Sequence, residues 1–323
     1  MEYTAVIRTL GKAGESFQRL LNSLATQTIA PKAIVVYIAE GYQIPSETVG
    51  TEHYIYVKKG MLAQRALQYD EIVTEYILCL DDDLEFPPNS VEKMFQLLTE
   101  HNADVISPDI FPNSQRHFAS EIMMTLSGRM RARRFDETWG YKVMRTGGYS
   151  YNKNPQNEVY ISQSNAGACF LCKKVDFLKL NLSEELWVDR MPYPIGEDQV
   201  MYYKMYCNGL KQLTWYNHHF VHLDAGGNMT VEKEQMRLYG DVYFKFVFWH
   251  RFIYTSEKYI LAKLWDTLCI LYYFVFALSI SLIKCELKIL NAKYSALKDA
   301  SEFICSKEYK SLPRIKKKFR HYK

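Results

Sequence analysis

Three consecutive carboxylates, Asp81, Asp82 and Asp83, follow directly on the apolar run Tyr76-Ile77-Leu78-Cys79-Leu80. Neighbouring like charges repel one another, and a cation relieves that repulsion. Hard cations such as Mg²⁺ or Mn²⁺ take oxygen ligands, so the triplet is a candidate holder for one. Two further groups of suitable chemistry lie downstream. Glu197 and Asp198 follow Gly196, and His222 stands just before Leu223-Asp224-Ala225-Gly226-Gly227. Carboxylates and an imidazole converging on one crevice bind a divalent cation and leave coordination positions for phosphate oxygens. A spare carboxylate beside such a cation can serve as general base for an attacking hydroxyl. The chemistry these groups allow is displacement at a carbon or phosphorus bearing a cation-bound diphosphate. The plainer readings are a solvated acidic turn, two acids complementing a helix dipole, and a surface or core histidine.

These groups need elements to position them. An apolar residue at every position from 76 to 80 suits a strand buried on both faces, and ligands of open α/β sheets bind beyond the carboxyl ends of such strands. Residues 4–8 and 33–39 read as strands around a helix carrying Phe17, Leu20, Leu21 and Leu24, and residues 54–57 as a third strand. Gly60 is expected to open a helix over 61–73. Pro87-Pro88-Asn89 starts another, with Val91, Met94, Phe95 and Leu98 on its face, and 103–107 is a further strand. This alternation predicts an α/β protein with a doubly wound, mainly parallel sheet. From Pro108 to about residue 160 no period is visible, which suggests a lid or binding loop. Its Arg129, Arg131, Arg133 and Arg134 read as a solvated face rather than a phosphate patch. Strands are expected again over 165–172 and 211–217, with a helix opening at Glu197 between them.

Beyond Thr230 the composition shifts to aromatic helices, so the chain divides into a catalytic domain, 1–230, and a helical C-terminal region, 231–323. Its 25 Tyr and 17 Phe crowd towards that end, a hint of an interface or membrane surface. Residues 267–283 carry no charge, and a bilayer crossing needs about 20 apolar residues. The stretch can therefore span, lie in the membrane plane or be buried. Net charge is only +4, but Arg314, Lys316, Lys317, Lys318, Arg320 and Lys323 form a basic block without an acid. Together these favour membrane association. Met1-Glu2-Tyr3 leads straight into the first strand with no signal peptide, placing the expected enzyme on the cytoplasmic face. Seven scattered cysteines argue against a disulfide framework, and Cys169 and Cys172, two faces of one strand, read as core packing.

Leu80-Asp81-Asp82-Asp83 with Pro87-Pro88, and Gly196-Glu197-Asp198 more than a hundred residues later, resemble the DxD and ED motifs of family-two inverting glycosyltransferases with the GT-A fold. Val6-Ile7-Arg8-Thr9, Ser23, Gln27, Pro31, Gly60 and Arg65 resemble the same family, and residues 243–251 are similar to its bacterial rhamnosyltransferase-like members. The resemblance implies a nucleoside-diphosphate sugar donor (UDP- or dTDP-linked), a glycan or lipid-linked glycan acceptor, Mn²⁺ or Mg²⁺, and a place in cell-surface polysaccharide synthesis, with no nucleic-acid partner. It implies Asp83, His222 and Asp81 as metal ligands, and Asp198 as catalytic base beside Glu197, which helps place the acceptor. Arg8, Thr9, Glu40, Arg65, Asp81 and Asp82 would hold the donor nucleotide. Glu40 matches poorly, because the family shows an Asp pair after its second strand. Two other functions compete: a nucleotidyltransferase, for which Leu10-Gly11-Lys12-Ala13-Gly14 is a weak phosphate loop, and a catalytically silent scaffold of a polysaccharide assembly complex.

Overall fold

A computed structural model describes residues 1–110, 118–128, 138–216, 219–223 and 230–318. Arg129, Arg131, Arg133, Arg134 and Asp224-Ala225-Gly226-Gly227 lie outside the described residues.

The expected mainly parallel sheet is present. Strands β1 (Tyr3–Thr9), β2 (Ala33–Ala39), β3 (Glu52–Val57) and β4 (Tyr76–Asp81) pair in parallel in the order β3-β2-β1-β4. The short β5 (Leu84–Glu85) leaves the sheet, and β6 (Val105–Pro108) returns to it. A hairpin follows, β7 (Tyr141–Val143) with β8 (Tyr149–Tyr151), then β9 (Val159–Ser162), β10 (Cys169–Lys173), β11 (Gln212–Trp215) and β12 (Val221–His222). The second half of the sheet runs β4-β10-β6-β11-β9, with β10 antiparallel to both neighbours, β9 antiparallel to β11, and β6 parallel to β11.

Side chains alternate across this sheet as a period of two requires. Tyr3, Ala5, Ile7, Ile34, Val36, Leu78 and Leu80 face helices α1 (Glu15–Ala25) and α2 (Ser90–Glu100), whose Leu20, Leu21, Met94 and Phe95 complete one core. Val6, Val35, Tyr37, Ile77 and Cys79 face the other way, towards a second core closed by Tyr69, Phe177 and the later helices. Cys169 lies in the first core and Cys172 in the second, and all seven cysteines are free.

Several local expectations are corrected. Residues 61–73 form turns rather than a helix. One turn closes with Arg65 N and Ala66 N donating to Leu62 O, and Tyr69 then takes φ 54°, which ends any helical run. Asp189 accepts from Leu62 N at 2.9 Å and Ala63 N at 2.8 Å, so a distant carboxylate holds the segment. The strand expected from 165 starts only at Cys169. The stretch read as a lid contains α3 (Phe118–Leu126) and the β7/β8 hairpin.

After α4 (Lys174–Leu178), a 3-10 segment (Leu182–Arg190) and α5 (Glu197–Cys207), the chain enters α6 (Val231–Phe248) and a π-helical turn (Trp249–Tyr254). Helices α7 (Ile260–Ile283), α8 (Leu287–Cys305) and α9 (Lys307–Ser311) complete it. Tyr243, Phe244, Phe248 and Phe252 are buried in the second core, so much of the aromatic excess is packing rather than open surface. A buried ion cluster locks this region down. Glu185 accepts from Arg251 Nε at 2.6 Å and Nη2 at 2.7 Å and from Trp187 Nε1 at 2.8 Å, and Lys204 Nζ lies 3.0 Å away. Arg251→Ala would leave the Glu185 charge buried without its main partner, so thermal or denaturant unfolding should report a loss of about 3–5 kcal/mol.

Candidate functional site

The carboxyl ends of β1 and β4 lie side by side, pairing Arg8 with Asp81 in register. Arg8 grips Asp81 with two hydrogen bonds, Nε to Oδ1 at 2.6 Å and Nη2 to Oδ2 at 3.2 Å. The same Nη2 reaches Glu197 Oε1 at 3.1 Å, so one guanidinium joins the first acidic motif to the second. A second arginine repeats the bridge. Arg65, buried, sets Nη2 3.6 Å from Asp81 Oδ1 and 3.4 Å from Asp198 Oδ1, and donates to Gly167 O at 2.8 Å. Burial alone would raise the Asp81 carboxyl, but Arg8 and Arg65 outweigh it and hold the group below the usual range.

Asp198 behaves in the opposite way. Desolvation first, and the Glu197 charge second, push its carboxyl up to about 7. A carboxyl raised in this direction has the chemistry to accept a proton near neutral pH. Two glycines make room for it. Gly196 adopts φ 81° at the start of α5, and a Cβ there would strike the Phe244 ring. A Cβ on Gly167 would fall on the Asp198 carboxylate itself. The two acids are thus presented by a helix start that only a glycine can enter in this way.

Asp82 and Asp83 point elsewhere. Thr9 Oγ1 donates to Asp82, whose carboxyl burial raises to about 6. The β5/β12 pairing sets His222 opposite Leu84, and Leu223 N donates to Asp83 O at 2.8 Å. His222 Nε2 consequently lies 3.2 Å from Asp83 Oδ1. That Oδ1 is buried and, beyond this ion-pair contact, has no hydrogen-bond partner among the described residues. A buried carboxylate oxygen facing an imidazole nitrogen suits a divalent cation, and Mg²⁺-type sites use one or two protein carboxylates with substrate phosphates and water supplying the rest. Among the described residues no group of three or more His, Cys, Asp and Glu is gathered around one such point, so the protein would hold the cation with few ligands of its own.

A cleft of about 680 Å³ opens over these residues. Arg8, Thr9, Asp81, Asp82 and Asp83 line it, together with Lys12 and Lys59. Those two lysines sit 5.0 Å from the Tyr42 ring centre, and Lys59 Nζ also donates to Tyr42 OH at 2.7 Å. Glu197 and Asp198 are not in the cleft lining but adjoin it through the arginines. Glu40 is the outlier: it is exposed one residue past β2 and is not among the lining residues. Sequence reasoning missed Lys59, Gln64 and Asp189. Lys59 follows a sheet strand by two residues and so carried a positional signal. Gln64, which donates to Thr9 O and Tyr37 O at 3.2 Å, and Asp189 act across the fold and carried none.

Residues 53–160 match the model of Glycosyl transferase family 2. The matched stretch includes Arg65, Asp81, Asp82 and Asp83 and ends before Glu197, Asp198 and His222. The sequence matches none of the curated proteins with which it was compared. Among solved structures the chain is similar to S. aureus TarS, with 14% identity, 85% of this chain and 43% of that one covered, and a TM-score of 0.48. For S. aureus TarS 1-349 the identity is 12%, the coverage 87% and 73%, and the TM-score 0.46. For GalNAc-T7 with UDP, GalNAc and Mn2+ the identity is 15%, the coverage 79% and 51%, and the TM-score 0.47. The chain thus spans about half or less of the length of full TarS and of GalNAc-T7.

Proposed function

We propose that the protein is a metal-dependent inverting glycosyltransferase that moves a sugar from a nucleoside-diphosphate donor, UDP- or dTDP-linked, to a hydroxyl of a glycan or lipid-linked glycan. The observation that carries this reading is the arginine lattice: Arg8 and Arg65 join Asp81, next to the Asp83–His222 pair, to Glu197 and to Asp198, whose carboxyl desolvation and the Glu197 charge push up. A candidate cation holder, Asp83, lines a cleft with basic side chains, and the candidate proton acceptor adjoins that cleft through the arginines. The family match over residues 53–160 supports glycosyl transfer as the reaction class.

In this reading the donor diphosphate lies in the cleft, where Arg8, Lys12 and Lys59 offer positive charge and Thr9 and Asp82 lie close by. Asp83 and His222 would hold Mn²⁺ or Mg²⁺, which supplies Lewis-acid stabilisation of the leaving diphosphate. Asp198 takes the proton from the acceptor hydroxyl while its oxygen bonds to the anomeric carbon, and the bond from that carbon to the diphosphate oxygen breaks. Attack from the face opposite the diphosphate inverts the configuration. Glu197, bound by Arg8, helps to place the acceptor. We assign residues 1–230 as the catalytic domain and residues 231–323 as a membrane-associating region at the cytoplasmic face, with cell-surface polysaccharide synthesis as the setting. Release of nucleoside diphosphate from a nucleotide sugar, dependent on cation and acceptor, tests the reading.

A further inference from the structure

Helix α7 divides cleanly into two faces. Asp266, Ile270, Tyr273, Phe274, Ala277 and Ser281 are buried against the protein. Leu264, Trp265, Leu268, Leu271, Val275 and Leu282 point outward, each 54–62% exposed. The inward face is tied down by polar contacts along much of its length. Arg145 Nη1 pairs with Asp266 Oδ1 at 2.6 Å, Lys245 Nζ sits 4.8 Å from the Tyr273 ring centre, and Lys293 Nζ donates to Ser281 Oγ at 2.8 Å and Ala277 O at 3.1 Å. If this 24-residue helix crossed a bilayer, those charged groups would be drawn into hydrocarbon or the packing would be lost. An apolar stripe backed by protein instead fits a surface-lying helix.

A second observation bears on what could cover the stripe. Beside the first turn of α7 lies a cavity of about 410 Å³ to which Lys263, Lys310, Arg314 and Arg251 contribute and, among the described residues, no acid does. Arg251 is already paired with buried Glu185, and Glu308 pairs with Arg190, which leaves Lys263, Lys310 and Arg314 as the cations the hollow offers. Lys263 is flanked along the helix by Ile260, Leu261 and Leu264, which are 76%, 80% and 56% exposed. A cationic hollow next to an apolar stripe matches an anionic amphiphile.

We propose that α7 lies in the plane of an anionic membrane surface, its outward face among the acyl chains, with the basic cavity at its first turn taking a lipid phosphate headgroup. The proposal rests on the membrane-surface part of the proposed function but not on the transfer chemistry. Vesicle binding is measured without a sugar donor, so failure of either leaves the other standing.

The test uses the full chain and vesicles of phosphatidylcholine with or without phosphatidylglycerol. Tighter binding to the phosphatidylglycerol vesicles is expected, and equal binding to both overturns the headgroup site. Each cation at an anionic surface changes affinity by about fivefold, so Lys263→Gln with Lys310→Gln should weaken phosphatidylglycerol binding on the order of 25-fold and leave phosphatidylcholine binding unchanged. Unchanged phosphatidylglycerol binding in a folded double variant, or competition by millimolar inorganic phosphate as strong as that by lipid, also overturns it. Depth is read by brominated-lipid quenching of Trp265, and of the tryptophan from Leu282→Trp in a Trp265→Phe background. Both positions are exposed, so these variants test the plane even if the lysine pair fails to fold. The two positions lie about 25 Å apart along the helix. Quenching of both from the same shallow bromine position is expected, and a marked difference in depth refutes the in-plane placement.

Discussion

Asp198→Asn is expected to slow glycosyl transfer by about 10²–10⁴-fold while donor affinity stays near that of the unchanged protein. Asn keeps the shape and cannot accept a proton, so the loss should fall on kcat. If Asp198 only complements its helix dipole, turnover stays near normal, because Asn also starts helices well. The carboxyl at about 7 adds a second signature. The base works ionised, so kcat/KM of the unchanged protein should fall towards acid pH, and Asp198→Asn should remove this acidic limb. Stability should move the other way. An unfolded Asp ionises near about 3.9, so between there and neutrality the unfolded state releases the proton first and the folded protein loses stability as pH rises. Asp198→Asn escapes that loss, so its melting temperature should match that of the unchanged protein at low pH and exceed it at neutral pH and above. A variant that loses donor binding instead would belong to the cation site.

The second large effect is on donor binding. Asp83→Ala should abolish cation-dependent binding of the nucleotide sugar, measured by calorimetry with and without Mn²⁺, with little loss of fold. Asp83 belongs to neither apolar core, and the contact of its carboxylate with His222 Nε2 at 3.2 Å involves a partly exposed imidazole, so truncation should cost the fold little. Unchanged donor affinity would remove Asp83 from the site. The contrast between the two variants is itself informative: one should act on the chemical step and the other on the ground-state complex.

What could be read from the chain alone follows from how local each feature is. Residues 76–80 announce a doubly covered strand because every side chain is apolar, and they do divide between the two cores, Ile77 and Cys79 on one side and Leu78 and Leu80 on the other. The acids at its end were placed by the same logic. The antiparallel insertion of β10 between β4 and β6 was not legible, since strand direction depends on where a long connection returns, not on local composition. Residues 61–73 carry helix-compatible apolar spacing, but Asp189 and the φ of Tyr69 impose turns. Arg8 and Arg65 were singled out as nucleotide contacts, and their grip on Asp81, Glu197 and Asp198 could not be foreseen, because those partners are brought together only by the fold. His222 reaches Asp83 through a pairing of two-residue strands, too short to leave a pattern. The aromatic crowding past Thr230 suggested a surface, yet a ring's type does not say which way it faces, and many of these rings turn inward.

The central claim is most directly tested by product analysis. The full-length protein is incubated with a panel of UDP- and dTDP-sugars, an acceptor pool of glycans and lipid-linked glycans, and Mn²⁺ or Mg²⁺, and the released phosphates are separated. Cation-dependent release of nucleoside diphosphate, matched by sugar gained on an acceptor hydroxyl with inverted anomeric configuration, is the predicted result. Release of sugar 1-phosphate with transfer of the nucleotidyl group would contradict it.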